Sequence, residues 1–74
     1  MNVKEQIYKM NIGEIKDIVF SNGILKTTKQ LERVNNVEFL IHDFSDGWAT
    51  ASLNIEQAVL YVKGKLKRKD LNWF

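Results

Sequence analysis

The sequence contains no cysteine and no proline, and it has only four glycines in 74 residues. Without cysteine the chain has neither a disulfide framework nor a thiolate metal site, which fits a reducing compartment such as the cytoplasm. Without proline, every turn must be made with Gly, Asn, Asp or Ser. The four glycines are isolated from one another, so the sequence has no glycine-rich loop for binding phosphate.

Long apolar runs are also missing. The longest uninterrupted one covers residues 58–62, which is far too short to span a membrane. The N-terminal segment MNVKEQIYKM lacks the apolar region of a signal peptide. We therefore expect a cytoplasmic protein with no membrane partner.

The residues that are present are those of a globular domain, with 45% hydrophobic and 27% charged residues. At 74 residues we expect one domain, residues 1–74, with residues 70–74 as a flexible or partner-contacting tail. The net charge of +2 is unevenly distributed. Residues 1–62 hold six Lys/Arg against eight Asp/Glu, whereas residues 63–74 hold five Lys/Arg against Asp70. The basic character therefore belongs to the C-terminal segment.

The strongest local pattern is a β-hairpin over residues 37–53. Two short runs rich in β-branched and aromatic residues flank Ser45-Asp46-Gly47, and a loop of this kind closes by a type I turn with glycine at positive φ. A three-residue loop places Phe44 opposite Trp48. The remaining pairs are then Asp43 with Ala49, Ile41 with Ala51, and Phe39 with Leu53.

This register divides the hairpin into two chemically different faces. One is an apolar core face, with alanines that are small enough for a helix to lie close. A two-residue loop would mix the two faces, and burial argues against it. The core face carries Val37, Phe39, Ile41, Ala49, Ala51 and Leu53, and the other face carries Glu38, Leu40, His42, Phe44, Trp48, Thr50 and Ser52.

The first ten residues predict a helix, whereas residues 11–22 are consistent with either a helix or a strand. Val3, Ile7 and Met10 recur at helical spacing, which indicates a short amphipathic helix. The apolar positions 12, 15, 18 and 19 favour a second helix that stops at Asn22-Gly23. The pair Asn22-Gly23 with apolar neighbours is also a strong hairpin signal, so the alternative is an additional strand before residue 24.

Residues 24–35 distinguish two architectures. As a strand they pair with the hairpin through a turn at Asn35-Asn36, and Leu31 then lies beside Phe39 or Leu40. As a helix capped by Thr28 they would give the element order of a winged helix. Lys-Thr-Thr-Lys is poor helix sequence, so a strand is the preferred prediction.

The C-terminal segment predicts an amphipathic helix. Asn54 is its N-cap and Gln57 occupies the reciprocal position of a capping box. Gly64 lies inside the predicted helix and weakens its last turns. The apolar stripe consists of Ile55, Ala58, Val59, Val62 and Leu66.

The predicted fold class is α+β. It is a small antiparallel β-meander of three strands, or four if Asn22-Gly23 forms a hairpin. An N-terminal helical segment precedes the meander, and the C-terminal helix packs on its alanine-lined face. Trp73 and Phe74 end the chain as an apolar tail that folds back, pairs with another copy or stays exposed.

The sequence offers no set of catalytic residues. His42 is the only histidine; it and Asp43 point to opposite faces of a strand, and Ser45 lies in a turn, so no Ser-His-Asp arrangement is expected. One histidine with scattered aspartates does not make a metal site either. We therefore predict no catalytic, cofactor or metal site, and a protein that is not an enzyme.

Nucleic-acid binding is suggested by the cations. Those of the C-terminal segment can meet phosphates, and further cations of residues 24–35 join them if the fold brings them together. The alternative is a solvated helix end that complements the helix dipole. The order helix, three strands, helix resembles that of double-stranded-RNA-binding domains in layout only, because Ile55-Glu56-Gln57 replaces their lysines. The candidates are Lys26, Lys29, Arg33, Lys63, Lys65, Lys67, Arg68 and Lys69.

Protein binding is suggested by the second face of the hairpin. If helices cover only the alanine-lined face, Leu40, Phe44 and Trp48 form an exposed apolar patch with His42 beside it. The alternative is that the N-terminal helix covers this patch as a second core layer. A homodimer through the Trp48 face or through the Trp73/Phe74 tail is a further hypothesis.

We therefore expect a small non-enzymatic binding or regulatory protein that docks on a macromolecular partner, with a protein preferred. Its size resembles that of compact inhibitors and regulators encoded by phages and other mobile elements, and its richness in Lys, Asn and Ile suits an AT-rich genome. The specific expectation is such an inhibitor of a host protein. The alternative is a small DNA- or RNA-binding regulator of winged-helix or sheet-plus-helix type.

Overall fold

The computed structural model describes residues 2–43 and 49–74, without the side chain of Asp43. It has the predicted α+β class, with five antiparallel strands where three or four were predicted. The strand order in the sheet is β1-β2-β3-β4-β5, so neighbours in sequence are neighbours in space. The elements are α1 (Val3–Tyr8), β1 (Ile15–Ser21), β2 (Lys26–Arg33), β3 (Phe39–Asp43), β4 (Ala49–Leu53), α2 (Ile55–Val62), a 3₁₀ turn (Arg68–Asp70) and β5 (Asn72–Trp73).

Residues 15–21 form a strand, so the predicted second helix is wrong. Ile18 is fully buried and Phe20 packs against the core, whereas Ile15 and Val19 lie on the opposite face, where they are 55% and 39% exposed. Apolar side chains on both faces of one strand produced the i, i+3, i+4 spacing without a buried helical stripe.

The alternative prediction for Asn22-Gly23, a hairpin turn, is correct. Asn22 Oδ1 accepts the backbone N–H groups of Ile24 (3.0 Å) and Leu25 (2.7 Å). Gly23 has φ of 88°, in the left-handed region that glycine enters without strain. The turn joins β1 to β2 and pairs Ser21 with Lys26.

Residues 26–33 form a strand as preferred, so the winged-helix order does not occur. The register between β2 and β3 pairs Arg33 with Phe39 and Glu32 with Leu40. Leu31 therefore lies directly opposite neither of its two predicted partners, although it is fully buried in the same core.

The register predicted for the hairpin is confirmed. Phe39 pairs with Leu53, Ile41 with Ala51 and Asp43 with Ala49. The loop at residues 45–47 and the pair Phe44 and Trp48 lie outside the described residues. Val37 is an error in the predicted core face: it precedes β3 and is mostly exposed, because Asn35 Oδ1 accepts the N–H of Val37 and of Glu38 and thereby forms a turn there.

Helix α2 begins as predicted and ends earlier. Asn54 Oδ1 accepts the N–H of Gln57 (2.8 Å), and Gln57 Oε1 accepts the N–H of Asn54 (2.9 Å). At the other end Gly64 has φ of 76°, its N–H donates to the Tyr61 carbonyl, and the N–H of Lys65 donates to the Leu60 carbonyl. Those bonds define a Schellman cap, so Gly64 terminates the helix instead of weakening its interior.

The capping box allows a direct test of how α2 begins. We expect Asn54→Ala to lower the free energy of unfolding by about 1 kcal/mol, since the side chain accepts one of the unpaired N–H groups of the first turn. For a domain of this size that loss corresponds to a fall in Tm of about 4–8 °C. Thermal unfolding followed by circular dichroism measures it. Asn54→Asp is the control, because it keeps the acceptor and should retain the Tm of the original protein; an equal loss in both variants would contradict this role.

Both helices pack on the same face of the sheet. Val3 and Ile7 of α1 and Ala58 and Val62 of α2 share one buried cluster with inward residues of the strands. Helix α1 also covers the edge of β1, since the Gln6 amide donates to the Val19 carbonyl (2.7 Å) and accepts from the Val19 N–H (3.0 Å). The inward strand residues of this core are Ile18, Leu31, Phe39, Ile41, Ala51 and Leu53.

The C-terminal residues fold back onto the sheet. Trp73 pairs with Ala51 in β5, and the N–H of Phe74 donates to the Thr50 carbonyl (2.8 Å). The side chain of Phe74 remains exposed. Neither α1 nor α2 has the length and apolar character needed to cross a membrane, and the described residues contain no other α-helix.

Candidate functional site

The face of the sheet opposite the helices, called the open face below, is not covered by any element among residues 2–43 and 49–74. Side chains alternate between the two faces of a strand, and the register of each pair shows which residues share this face. Every described residue on it is exposed or half-buried. The open face carries Ile15, Asp17, Val19, Ser21, Lys26, Thr28, Gln30, Glu32, Leu40, His42, Thr50, Ser52 and Asn72, with Glu38 reaching its rim.

A polar network crosses the centre of the open face. His42 lies between strands β2 and β4, with Nε2 at 2.9 Å from Glu32 Oε1 and Nδ1 at 3.2 Å from Thr50 Oγ1. Beside it Ser52 donates to Glu38 Oε2 (3.1 Å). These contacts tie three strands together through side chains, so the polar groups are held in fixed positions.

The groups of this network are arranged in the order of a hydrolytic triad. Thr50, His42 and Glu32 follow the order hydroxyl, imidazole, carboxylate, but hydrolysis also requires a substrate pocket and donors for an oxyanion. The two cavities discussed below lie on the helix side, away from these residues. Within the described part of the chain, no group of three or more His, Asp or Glu side chains could hold a metal ion.

The open face combines apolar and acidic groups. Its carboxylates are Asp17, Glu32 and Glu38, and they outnumber its one lysine, Lys26. The apolar side chains are Ile15, Val19 and half-buried Leu40. Of the residues predicted to contact a protein partner, Leu40 and His42 are on this face, whereas Phe44 and Trp48 lie outside the described residues.

The cations predicted to form one nucleic-acid surface are dispersed. Lys26 lies on the open face, while Lys29, three residues further along β2, lies on the helix side. Arg33 is only 8% exposed, and its guanidinium donates to backbone carbonyls. A guanidinium that is buried and bonded in this way is poorly placed to contact a phosphate, which does not favour the nucleic-acid role predicted for Arg33.

Three of the remaining cations lie against aromatic rings on the helix side. Lys29 Nζ is 5.4 Å from the centroid of the Tyr61 ring, and the Arg68 guanidinium carbon is 4.7 Å from that of Trp73. Lys63 Nζ lies 5.8 Å from the Phe20 ring. Since α2 ends at Val62, the basic segment after it is an irregular chain with a 3₁₀ turn and does not form the helix end that was predicted.

Two of these pairs line a cleft of about 230 Å³, called the cationic cleft below. Its walls come from β2, β3, α2 and the segment that leads into β5. The described lining residues are Lys29, Ile41, Tyr61, Leu66, Arg68, Leu71 and Trp73.

A second cavity of about 260 Å³ lies where α1 and α2 meet. Its lining is apolar apart from Lys4 and Glu56, which carry opposite charges. Because the rim favours neither sign, this groove indicates no class of ligand.

Sequence reasoning missed contributors to both surfaces. Ile15 and Val19 were assigned to a helix, and no alternation of polar and apolar residues marks the strand, because residues 15, 17 and 19 and residues 16, 18 and 20 each include one charged and two apolar side chains. Tyr61 and Trp73 were not linked to any cation, because the contacts of Tyr61 with Lys29 and of Trp73 with the core depend on how the chain returns after α2.

Comparison with known proteins gives no match to a family model, a curated protein or a solved structure.

Proposed function

We propose that this chain is a non-enzymatic binding protein that docks on a protein partner through the open face of its sheet. The observation that carries the proposal is the one-sided packing of α1 and α2. It leaves Ile15 and Val19 partly exposed, with Leu40 half-buried between the polar side chains. Apolar groups grouped on one uncovered surface are typical of contact sites on small proteins.

The charge of the open face indicates the chemistry of the partner. Asp17, Glu32 and Glu38 would lie close to the phosphates of a nucleic acid, and a like-charge contact of this kind is unfavourable. Two copies of the open face would likewise bring carboxylates together, which argues against a homodimer through this side of the hairpin. A partner surface with basic and apolar residues is complementary to it.

A small domain that covers a functional surface of a larger protein acts as an inhibitor. That mode of action, in a protein encoded by a phage or another mobile element, is our specific proposal, and it is supported by composition and size. The cysteine-free composition supports work in the cytoplasm. The fixed polar network around His42 adds a rigid surface, which lowers the entropy lost on binding.

The test is affinity capture from the native host with and without nuclease, followed by affinity measurement with the purified partner. Ile15→Lys/Asp17→Lys places two cations on the β1 side of the open face, where they repel a basic partner, and should weaken binding at least about tenfold. The matched control is Glu56→Lys/Leu60→Lys, the same pair of changes on exposed positions of α2, and it should bind within about threefold of the original protein.

Two results would overturn the proposal. One is that Ile15→Lys/Asp17→Lys, with the urea unfolding midpoint of the original protein, binds the purified partner as tightly as the original protein does. The other is loss of the captured partner on nuclease treatment, which would show that the contact runs through nucleic acid.

A further inference from the structure

The cationic cleft is preorganised by pairs of cations and rings. Trp73 Nε1 donates to the backbone carbonyl of Arg68 (2.7 Å). This bond fixes the indole beneath the Arg68 guanidinium. Lys29 extends over the Tyr61 ring from the neighbouring β2 strand. Arginine stacked on an aromatic ring presents a flat, charged surface, on which a planar group can stack in turn.

The size of the cleft limits what can enter it. Its volume of about 230 Å³ is below the range of roughly 300–1,000 Å³ that is typical of sites that enclose a whole small molecule. Ile41, Leu66 and Leu71 provide an apolar lining. The cleft therefore fits one planar group that projects from a larger ligand.

The charge around the cleft indicates an anionic ligand with repeated charges. Among the described residues that line it, two are cations and none is a carboxylate. Further lysines continue on both sides of Arg68, at positions 63, 65, 67 and 69. The one carboxylate of this segment, Asp70, accepts the backbone N–H of Lys67 (3.1 Å). A single carboxylate would contact only one or two of these cations, whereas a polyanion can contact the whole segment.

We propose that the cationic cleft binds single-stranded nucleic acid. A base stacks against the Arg68 and Trp73 surface, and the backbone phosphates lie beside Lys29 and the lysines around Arg68. An unpaired strand offers a planar base for every phosphate, which is the combination that this cleft accommodates. A duplex keeps its bases stacked inside, and an acidic polypeptide carries charge without regular planar groups. This site is separate from the open face and does not depend on the proposed protein docking.

Fluorescence anisotropy with labelled oligothymidylate and oligouridylate of about 16 nucleotides tests the proposal. We expect binding at low salt that weakens linearly on a log–log plot, with a slope that falls by about 0.7 for each phosphate-contacting cation removed. Lys29→Met/Arg68→Met should reduce affinity at least about tenfold. The matched control Lys4→Met/Lys9→Met removes two exposed cations, one in α1 and one at its C-cap, and should change affinity less than about threefold.

Further arms separate this site from its alternatives. The open-face variant Ile15→Lys/Asp17→Lys should bind the oligonucleotides at least as well as the original protein, so failure of one proposal does not imply failure of the other. Tighter binding of a duplex of equal length, or of polyglutamate, would overturn the assignment of a single strand. Equal losses of affinity in the cleft variant and the control variant would show that only net charge matters and would overturn the site. Flat titrations at low salt would exclude nucleic-acid binding. If the double cleft variant does not fold, Lys29→Gln and Arg68→Gln are compared singly with Lys9→Gln under the same criteria.

Discussion

Replacing Arg33 by methionine is expected to lower the free energy of unfolding by about 3–5 kcal/mol, because one buried carbonyl and three partly buried ones lose their donor together. Arg33 Nη1 donates to the carbonyls of Met10 (2.8 Å) and Tyr8 (3.3 Å), where α1 ends. Nη2 and Nε reach the carbonyls of Asn36 (3.3 Å) and Asn35 (3.4 Å) in the turn between β2 and β3. One side chain thus joins the end of a helix to a turn of the sheet.

The size of this effect is large relative to the whole protein. A domain of 74 residues is expected to have a free energy of unfolding on the order of 4–11 kcal/mol. Urea unfolding followed by circular dichroism measures the loss. Arg68→Met is the matched control, since Arg68 is exposed and stacked on a ring, and it should cost no more than about 1 kcal/mol. Arg33→Lys should fall between the two, because an ammonium group cannot reach all four carbonyls.

Hydrogen exchange gives a second, local readout for Arg33. If the guanidinium holds α1 against the sheet, the amides of residues 6–10 should exchange faster in Arg33→Met than the amides of β3 and β4 under conditions where the protein remains folded. Equal stability of Arg33→Met and Arg68→Met would show that the four contacts contribute nothing measurable.

Short-range sequence patterns were sufficient to predict the hairpin register and the N-terminus of α2. The register of β3 and β4 follows from alternation and loop length, and the start of α2 follows from Asn54 and Gln57. Residues 15–21 show the limit of that approach, because Ile15 and Val19 are apolar and yet lie on the open face. Residue type then fails to indicate burial, and the apparent period becomes helical.

The candidate sites were predicted only in part for a related reason. Leu40 and His42 could be placed on the second face of the hairpin, since the register fixes it. The cationic cleft depends on Gly64 ending α2 and on the return of Trp73 to Ala51, and both are tertiary features. The burial of Arg33 was not predicted, because a lone arginine in a strand has the same sequence pattern whether it faces solvent or a set of carbonyls.

Phe39→Ala is the other substitution with a large expected effect, about 3–5 kcal/mol. Phe39 is 0% exposed, and it is the largest of the fully buried side chains. Removing its ring leaves a cavity that the surrounding strands cannot close without shifting, so the loss exceeds the transfer energy of the ring itself. Phe74→Ala is the matched control: Phe74 is 77% exposed, and its replacement should change stability by no more than about 0.5 kcal/mol. Both are measured by urea unfolding, and similar losses in the two variants would contradict the central position of Phe39.

Phe39 and Arg33 are also expected to be energetically coupled. The Arg33 guanidinium carbon lies 5.7 Å from the centroid of the Phe39 ring, and the two residues are paired across β2 and β3. A double-mutant cycle with Arg33→Met and the milder Phe39→Leu should give a coupling energy of about 0.5–2 kcal/mol, since the cation is mostly desolvated over the ring. Additivity within about 0.3 kcal/mol would show that the ring only fills volume. Coupling in the expected range would mean that the core residue orients the guanidinium that holds α1, so that packing and polar bonding at this junction act as one unit.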